Sequence, residues 1–262
     1  MPKQITIIGT GYVGLTTGAC MAYLGHQVVC IDTNVEKIAE LKSGICPIYE
    51  KGLPELLSMG LETERLSFSA TADADLLQNE FIFLCLPTPQ AEDGRAELAA
   101  IYEVAESVKS SLSSKAIVVN KSTVPVGTSK VLSEIIGRED VEVVSNPEFL
   151  REGSAIEDFL KPDRIIIGAD AMEASDRVAE LYSNLESPII QVDCASAETV
   201  KYATNSFLAM KVSFVNALAA VCELVGADID SVAKGLGTDN RVGSKFLQPG
   251  PGWGGSCFPK DM

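Results

Sequence analysis

Short apolar runs alternate with longer segments of helical periodicity from the N-terminus to about residue 193. Most of the short runs are continuous stretches of Val, Ile, Leu and Phe, which is typical of strands covered on both faces. They span residues 4–9, 27–32, 66–70, 81–87, 116–122, 141–146, 163–169 and 188–193. Helices are predicted between them at 11–24, 34–43, 97–113, 127–137 and 171–184. This βαβα order predicts an α/β fold with a doubly wound, mostly parallel sheet and helices on both faces.

The pattern changes after the last of these strands. Residues 195–225 form one long helical pattern of mainly apolar and small residues, with neither Gly nor Pro inside it. A helix this apolar must pack on the sheet, on another domain or on a second copy of itself, and the last option predicts a homodimer. A short helix at 228–236 and a glycine-rich tail follow. We therefore predict two domains, residues 1–194 and residues 195–262.

Composition and charge narrow the classes of function. The chain has 262 residues, of which 46% are hydrophobic and 22% charged, as in an ordinary globular protein. We find neither an apolar run long enough to span a bilayer nor a start resembling a signal peptide, which predicts a cytoplasmic protein with no membrane partner. The net charge of −15 and the lack of a basic stripe argue against a nucleic-acid partner.

Cysteine and histidine usage limits the chemistry. The 7 cysteines include no CxxC pair and the chain has 1 histidine, so neither a metal site nor a disulfide framework is predicted. Cys30 and Cys85 lie in apolar runs, and we expect them to be small buried core residues. His26 stands at the start of a strand and is predicted to be structural. Acid–base chemistry is then left to carboxylates, Lys, Cys or bound water.

A glycine motif follows the first strand. Gly9, Gly11 and Gly14 have the GxGxxG spacing, a helix comes next, and the second strand ends in Asp32. In a dinucleotide-binding (Rossmann) unit the first glycine permits a tight turn, the second lets the backbone approach a pyrophosphate, and the third lets the helix pack closely on the strand. Asp32 is placed to accept hydrogen bonds from ribose hydroxyls and to repel a 2′-phosphate, which favours NAD. Lys37 lies nearby and leaves that preference open.

Three polar loops follow the fourth, fifth and sixth strands. They are CLPTP (85–89), KSTVPVG (121–127) and NPEFLREG (146–153). Because ligands lie beyond the carboxyl ends of strands in an open α/β sheet, all three are predicted to rim one crevice. The side chains that they offer are Thr88, Ser122, Thr123, Glu148 and Glu152. The alternative, strand-end turns with solvated side chains, is less favoured for three loops at one edge than for a single loop.

Polar residues also interrupt the long helix. Lys201 and Asn205 are four residues apart and so share one face, while Lys211 stands alone and is expected to extend its amine to solvent. Near the end of the chain, Cys257 lies between glycines and a Phe-Pro-Lys-Asp stretch. A cysteine close to a cation can be a nucleophile, but the spacing alone leaves an inert cysteine equally open.

Taken together, the motifs resemble those of the UDP-glucose/GDP-mannose dehydrogenase family of nucleotide-sugar 6-dehydrogenases. The matching stretches are GTGYVGLTTG, PIYEKGL, KSTVPVGT, NPEFLREG, KYATNSFLA, NRVGSKFL and GGSCFPKD, which run through the whole chain. Members of the family are longer and carry a second Rossmann-like domain, which binds sugar nucleotide, after the cysteine motif. The resemblance therefore implies an N-terminal fragment that binds NAD but turns over little or no substrate.

The resemblance also implies roles for the matching residues. The catalytic set is Cys257, Lys201, Asn205, Asp261, Glu148 and Thr123. The NAD contacts are Gly9, Gly11, Tyr12, Val13, Gly14, Asp32, Lys37, Thr88, Ser122, Thr123, Glu152 and Lys260. The substrate contacts are Glu148, Phe149, Leu150, Arg151, Glu152, Lys201, Asn205, Arg241, Phe246, Leu247, Gly250 and Gly254, and Arg241 reaches its substrate across a dimer interface.

The implied reaction is a four-electron oxidation of UDP-glucose to UDP-glucuronate that uses two NAD per sugar. In this scheme Cys257 adds to an aldehyde as a thiolate, a second oxidation leaves a thioester, and water hydrolyses it. Lys201 and Asn205 stabilise the alkoxide, and a water relayed to Asp261 takes the proton. Three alternatives stay open: another nucleotide sugar such as GDP-mannose, a β-hydroxyacid dehydrogenase, which uses no cysteine nucleophile, and a non-catalytic module that binds NAD and dimerises.

Overall fold

In a computed structural model, which describes residues 1–255 and 258, eight strands form one sheet. The strands, β1 to β8 in chain order, are Gln4–Ile8, Gln27–Ile31, Leu66–Ser69, Phe81–Leu84, Ile117–Asn120, Glu142–Ser145, Ile165–Gly168 and Ile189–Val192. Each lies inside one of the eight predicted apolar runs, so the strand predictions are confirmed with slightly shorter bounds.

Nine α-helices occur within the described residues. In chain order, α1 to α9 are Tyr12–Tyr23, Val35–Lys42, Leu53–Glu62, Ala99–Val108, Thr128–Ile136, Ala155–Leu160, Met172–Glu180, Cys194–Val225 and Ile229–Gly237, and a 3₁₀ helix spans Ala74–Gln78. The sequence did not predict α3 and α6. Helix α3 begins after Gly52, whose φ is +86°, and carries a proline in its first turn, so its start resembles a loop. Helix α6 has only 6 residues, too few for a periodic pattern.

The strand order is β3-β2-β1-β4-β5-β6-β7-β8. All neighbouring pairs are parallel except β6 and β7, which pair antiparallel at Ser145 and Gly168. The chain winds outward from β1 in one direction and from β4 in the other, so the order reverses between these two strands. A doubly wound sheet places its ligand crevice at such a reversal. The predicted fold class, mostly parallel and followed by a long helix, is confirmed.

The core lies on both faces of the sheet. One cluster of buried side chains packs helices α1, α3 and α7 against one face, and a second packs α4 and α5 against the other. Strands β1, β4, β5 and β7 are buried almost throughout. The expectation of two covered faces is wrong for β3 and β8, which have exposed positions. Both are edge strands, and the helices do not reach across them fully.

The chain divides into two compact units, residues 1–89 with 97–199, and residues 90–96 with 200–262. The first unit contains the sheet. The second contains α9 and all but the first turns of α8. The division therefore falls inside a helix, and the domain boundary between residues 194 and 195 stays a prediction.

Helix α8 also corrects one expectation. It has 32 residues and includes an 18-residue window of mean hydropathy 1.7, of which 22% is buried, so its length and composition match a membrane span. The expectation of no such segment was wrong because lysines and an asparagine break up the apolar runs while the average hydropathy stays high. Length and composition are weak evidence by themselves, since core helices of non-membrane proteins also meet them.

Candidate active site

The glycine loop after β1 combines two crowded positions with one open position. A Cβ atom built on Gly9, whose φ is +98°, would lie 2.4 Å from the carbonyl oxygen of Cys85, and one on Gly14 would lie 1.8 Å from the carbonyl oxygen of Gly9. A Cβ on Gly11 meets nothing within 4 Å. The close contacts hold the loop against α1 and the β4 loop, while the open position leaves room for a ligand. This is the pattern expected of a pyrophosphate-binding loop.

The start of α1 adds anion-binding capacity to this loop. Gly11 is the N-cap residue and supplies no side-chain cap, and the first turn has no acidic residue. The first amide groups of a helix have no intrahelical acceptor and carry its positive dipole end. These features fit the pyrophosphate of a dinucleotide, so the described residues pass this test for NAD.

Asp32 lies at the end of β2 in a dense set of donors. Its Oδ2 accepts hydrogen bonds from the amide of Thr10 at 2.9 Å, the hydroxyl of Thr10 at 2.7 Å, and Nζ of Lys37. Its Oδ1 accepts from the amide of Asn34 at 3.0 Å and retains lone-pair capacity for a ribose hydroxyl. Burial by itself would raise the pKa of Asp32, but the hydrogen bonds outweigh it and lower the pKa to about 2. The carboxylate is therefore ionised, as the preference for NAD requires.

The loops after β4 and β5 are joined to each other. The hydroxyl of Ser122 donates to the carbonyl of Leu86 at 2.8 Å and accepts from the amide of Leu86 at 2.9 Å. The hydroxyl of Thr88 donates to the carbonyl of Thr123 at 2.9 Å. The alternative of solvated turns is wrong here, because Thr88, Ser122 and Thr123 are all buried. The Ser122 hydroxyl is therefore used to hold the two loops together. Thr123 contributes to the same junction through its backbone carbonyl.

The loop after β6 rests on a buried polar floor. The side-chain oxygen of Asn146 accepts from the hydroxyl of Tyr182 at 2.6 Å and from the amine of Lys121 at 3.2 Å. The Asn146 amide donates to the carbonyl of Ile166 at 2.8 Å. Three partner groups, all from buried residues, thus fix the side chain of Asn146, at which the loop begins. Such satisfied buried networks are rigid.

Glu148 is buried two residues further along, and its carboxylate accepts the amide of Leu150 at 2.6 Å. Arg151 is exposed and pairs with Asp158, and Glu152 is also exposed. The ring of Phe149 lies under the guanidinium of Arg164, 3.9 Å from its carbon to the ring centroid. The strand order therefore brings Gly11, Asp32, Thr88, Thr123 and Glu148 to one edge of the sheet, at the carboxyl ends of β1, β2, β4, β5 and β6.

The second unit contains the polar residues of α8. Lys201 and Asn205 are only 4% and 6% exposed, which agrees with a shared buried face. The expectation that Lys211 reaches solvent is wrong, because this side chain is 8% exposed and its amine donates to the carbonyls of Val242 and Gly243 at 3.1 Å each. The buried ammonium group is used to hold the segment that follows α9.

That segment carries the remaining predicted substrate contacts. Arg241 is exposed and held by a bidentate pair with Asp239. Phe246 has a φ of +63°, Leu247 is buried, and Gly250 donates its amide to the side chain of Asn216 at 2.8 Å. Gly254 is exposed. The predicted residues Cys257, Lys260 and Asp261 lie outside the described residues.

Sequence reasoning missed three residues that shape these loops. Thr10 supplies two of the hydrogen bonds to Asp32. Glu198, in the first turns of α8, accepts hydrogen bonds from the amides of Gly127 at 2.6 Å and Ser129 at 2.8 Å, and so fixes the start of α5. Glu50, in the PIYEKGL stretch, is buried against the glycine loop. For Glu50 and Glu198 the available signal was a lone carboxylate near a glycine or at a helix start, which is weak by itself, and for Thr10 it was only a hydroxyl between two glycines of the motif.

Comparison with known proteins identifies the family. Residues 3–186 match the NAD binding domain of the UDP-glucose/GDP-mannose dehydrogenase family, and residues 195–262 match its central domain. The chain belongs to this family. It is similar to the UDP-glucose 6-dehydrogenase TuaD of Bacillus subtilis (strain 168), with 45% identity over 99% of this chain and 57% of the relative. It is also similar to the UDP-glucose 6-dehydrogenase of Rhizobium meliloti (strain 1021), with 47% identity over 98% of this chain and 61% of the relative.

A structural comparison agrees with this family assignment. The fold superimposes on a UDP-glucose dehydrogenase from the hyperthermophilic archaeon Pyrobaculum islandicum with a TM-score of 0.94 and 38% identity, covering 100% of this chain and 62% of that chain. The predicted family, the fold class and the cofactor NAD are confirmed by these matches. The chain spans about three fifths of the length of the curated relatives that it matches.

Proposed function

We propose that the protein oxidises the primary alcohol of UDP-glucose to the acid of UDP-glucuronate, with NAD as acceptor. The observation that carries this proposal is the 45% identity over 99% of the chain to a relative named UDP-glucose 6-dehydrogenase. Two features of the molecule support it. Asp32 is ionised beside a glycine loop open at Gly11, and Lys201 and Asn205 are both buried on one face of the long helix.

The proposed chemistry proceeds in two oxidations. NAD, when bound, accepts two electrons as a hydride, and the conversion of an alcohol to an acid therefore consumes two NAD. We propose that the thiolate of Cys257 adds to the carbonyl carbon of the aldehyde formed first, giving a thiohemiacetal whose oxidation leaves a thioester. Water then cleaves the carbon–sulfur bond and restores the thiolate. The covalent bond keeps the aldehyde in the site between the two oxidations.

The other predicted residues receive supporting roles in this proposal. The amine of Lys201 and the amide of Asn205 donate hydrogen bonds to the oxyanion that develops at each stage. Asp261 accepts a proton through a water, and Glu148 with Thr123 orients the water that hydrolyses the thioester. The sugar nucleotide is held by residues 148–152 and by the set Arg241, Phe246, Leu247, Gly250 and Gly254. Lys260 and Glu152 complete the contacts to NAD.

A two-substrate assay tests this function. A protein that contains this chain and has the full length of the curated relatives is given UDP-glucose or GDP-mannose, and the NADH formed is counted per molecule of sugar acid. The 262-residue chain by itself is expected to bind NAD and to turn over little or no substrate. Two NADH per sugar with UDP-glucose is the expected result. One NADH per sugar overturns the thioester route, and a preference for GDP-mannose overturns the substrate. Cys257→Ser is expected to abolish acid formation, while Cys46→Ser, a matched cysteine variant outside the proposed site, retains it.

We also propose that the protein forms a homodimer through α8. Large apolar side chains recur along one stripe of this helix with spacings of three, four and seven residues, and all are at least half exposed: Phe207, Met210, Phe214, Val221 and Leu224. Such a stripe suits the seam between two helices. Analytical ultracentrifugation is expected to show a dimer that Phe214→Glu converts to monomer, whereas Met172→Glu, at an even more exposed apolar position in α7, leaves it intact. A monomeric wild-type protein overturns this proposal.

The dimer is also our reason for proposing a cytoplasmic location. A second copy that covers the stripe leaves no apolar face of α8 for a bilayer. Cell fractionation is expected to place the protein in the cytosolic fraction. Recovery with the membrane that resists washing with salt contradicts both the location and the role of the stripe.

A further inference from the structure

The carboxylate of Glu50 lies in the loop between α2 and α3 and is 3% exposed. Its Oε2 accepts hydrogen bonds from the amide of Gly153 at 2.8 Å and from the hydroxyl of Tyr12, and its Oε1 accepts from the amide of Ala155 at 3.0 Å. A buried carboxylate is stable only when such donors replace its hydration. The three donors together therefore stabilise the buried Glu50 carboxylate.

These donors come from the two loops that matter most at this edge of the sheet. Tyr12 follows Gly11 directly and is the first residue of α1. Gly153 follows Glu152 and ends the loop that begins at Asn146. The chain separation is 38 residues from Glu50 to Tyr12 and 103 residues to Gly153. One side chain thus joins the cofactor loop to the loop that contains Glu148.

Tyr12 takes part in this junction as a donor. Burial raises the pKa of the phenol, and the hydrogen bond and the negative charge of Glu50 raise it further, so the hydroxyl keeps its proton. The same hydroxyl lies 3.2 Å from the carbonyl oxygen of Arg151, within the second loop. The Tyr12 side chain therefore meets the second loop directly at Arg151 and indirectly through Glu50.

A helix cap alone does not account for this arrangement. Helix α6 has only 6 residues, and capping it would require its amide groups alone. The bond from Tyr12 adds nothing to that cap, yet it fixes the residue next to the open glycine. The chain just after Glu50 also runs close to α6, since a Cβ built on Gly52 would stand 3.7 Å from the side chain of Ile156.

We propose that Glu50 is a positioning residue that couples the glycine loop to residues 146–153. Binding of NAD at the first loop and the geometry of Glu148 and Glu152 at the second then depend on the same carboxylate. The role of the second loop in turnover rests on the proposed function, whereas the coupling between the loops does not.

The test is a double-mutant cycle read out by NAD affinity. Glu50→Gln keeps the shape but turns an NH₂ group towards an N–H or O–H donor, and Tyr12→Phe removes only the hydroxyl. Calorimetry on the purified protein is expected to show NAD affinity weakened about tenfold by Glu50→Gln, a loss of one strong hydrogen bond. Tyr12→Phe should weaken it less, and the double variant should be no weaker than Glu50→Gln alone. Glu55→Gln, an exposed carboxylate on α3, serves as the matched control.

Hydrogen exchange adds a readout that needs no turnover. At saturating NAD, amide exchange in the peptide spanning residues 146–155 is expected to slow in the wild type and to slow much less in Tyr12→Phe, in which Glu50 still holds the backbone of α6. Single effects that multiply independently, or a lower melting temperature with unchanged NAD affinity, overturn the proposal. If a protein of the relatives' full length binds NAD but leaves UDP-glucose unoxidised, the proposed function fails while the cycle still decides the coupling.

Discussion

In the glycine loop after β1, backbone atoms approach so closely that one methyl group on Gly14 would overlap the carbonyl oxygen of Gly9. Along α8 the decisive atoms are instead the ends of long side chains, since the amine of Lys211 reaches two carbonyls some 31 residues further along the chain. The conformation of the glycine loop depends on the lack of a Cβ atom at Gly14, whereas that of the segment after α9 depends on the buried ammonium group of Lys211. They should therefore fail in different ways when altered.

The largest effect is expected from adding a methyl group at Gly14. The Cβ of Gly14→Ala would stand 1.8 Å from the carbonyl oxygen of Gly9, and backbone atoms cannot move aside as a flexible side chain can. The gain of about 1 kcal/mol in helix propensity is too small to offset this overlap. We expect a loss of at least about 3 kcal/mol in the free energy of unfolding, measured with urea in the absence of cofactor.

Gly11→Ala is the matched control, because a Cβ there meets nothing within 4 Å and the φ of −69° suits any residue. Its stability should change by less than about 1 kcal/mol. NAD affinity should nevertheless fall, since the methyl group occupies the space through which the pyrophosphate approaches. Equal stability of the two variants would contradict the packing argument for Gly14.

A smaller effect is expected from removing the buried charge in α8. Lys211→Met keeps most of the apolar stem but leaves the carbonyls of Val242 and Gly243 without their donor. Hydrogen bonds that involve a charged group contribute about 1.5–3 kcal/mol, so a loss of about 2 kcal/mol in the free energy of unfolding is expected. Lys234→Met, on the exposed side of α9, should change it by less than about 0.5 kcal/mol. If Lys211→Met changes the free energy of unfolding as little as Lys234→Met does, the Lys211 amine lies in solvent and the hydrogen bonds to the two carbonyls are not made.

The same contrast explains what the sequence could reveal. All eight strands were predictable because each coincides with a short run rich in apolar residues, including the edge strands β3 and β8, which are exposed in part. The glycine loop was predictable because its constraint is also local, with the three glycines and Asp32 all within about 25 residues. Antiparallel pairing of β6 with β7 was not, since it depends on where Ser145 meets Gly168 in space.

Burial of charged side chains was the part that local patterns could not supply. Whether Lys211 reaches solvent depends on carbonyls beyond α9, and the burial of Glu50 depends on amides 103 and 105 residues away. A lone lysine or glutamate has the same appearance in the sequence whether its partner is water or a distant backbone group. The sequence pattern located the polar residues of α8 and the resemblance to a family implied roles for Lys201 and Asn205, but neither indicated how Lys211 is used.

A change at Asp32 tests the electrostatic side of the cofactor region. With a pKa of about 2, this carboxylate is ionised at neutral pH and repels a 2′-phosphate. In Asp32→Ala the amine of Lys37 loses its partner and becomes available to that phosphate. The ratio of NADP to NAD affinity is expected to rise about tenfold, or about 1.4 kcal/mol. Glu36→Ala, an exposed carboxylate on α2, should leave the ratio unchanged, and an unchanged ratio in Asp32→Ala would remove Asp32 from the discrimination.

The smallest effect concerns His26 and the dependence of stability on pH. The ring nitrogen Nδ1 accepts the amide of Lys3 at 3.2 Å, so the proton resides on Nε2, which donates to the carbonyl of Leu181 at 3.0 Å. Burial lowers the pKa of His26 below its usual 6.5, and the hydrogen bond to Leu181 offsets this only in part. The unfolded chain therefore takes up the proton first as the pH falls. As the pH falls from about 6.5 to the folded pKa of His26, the free energy of unfolding should decline by about 1.4 kcal/mol per pH unit. Above about pH 6.5 it should not depend on the titration of His26.

Because the chain has 1 histidine, its proton NMR signal gives the folded pKa directly. Subtracting the urea stability of His26→Gln at each pH removes the carboxylate contribution, and a difference that stays constant across this range would contradict a buried neutral ring.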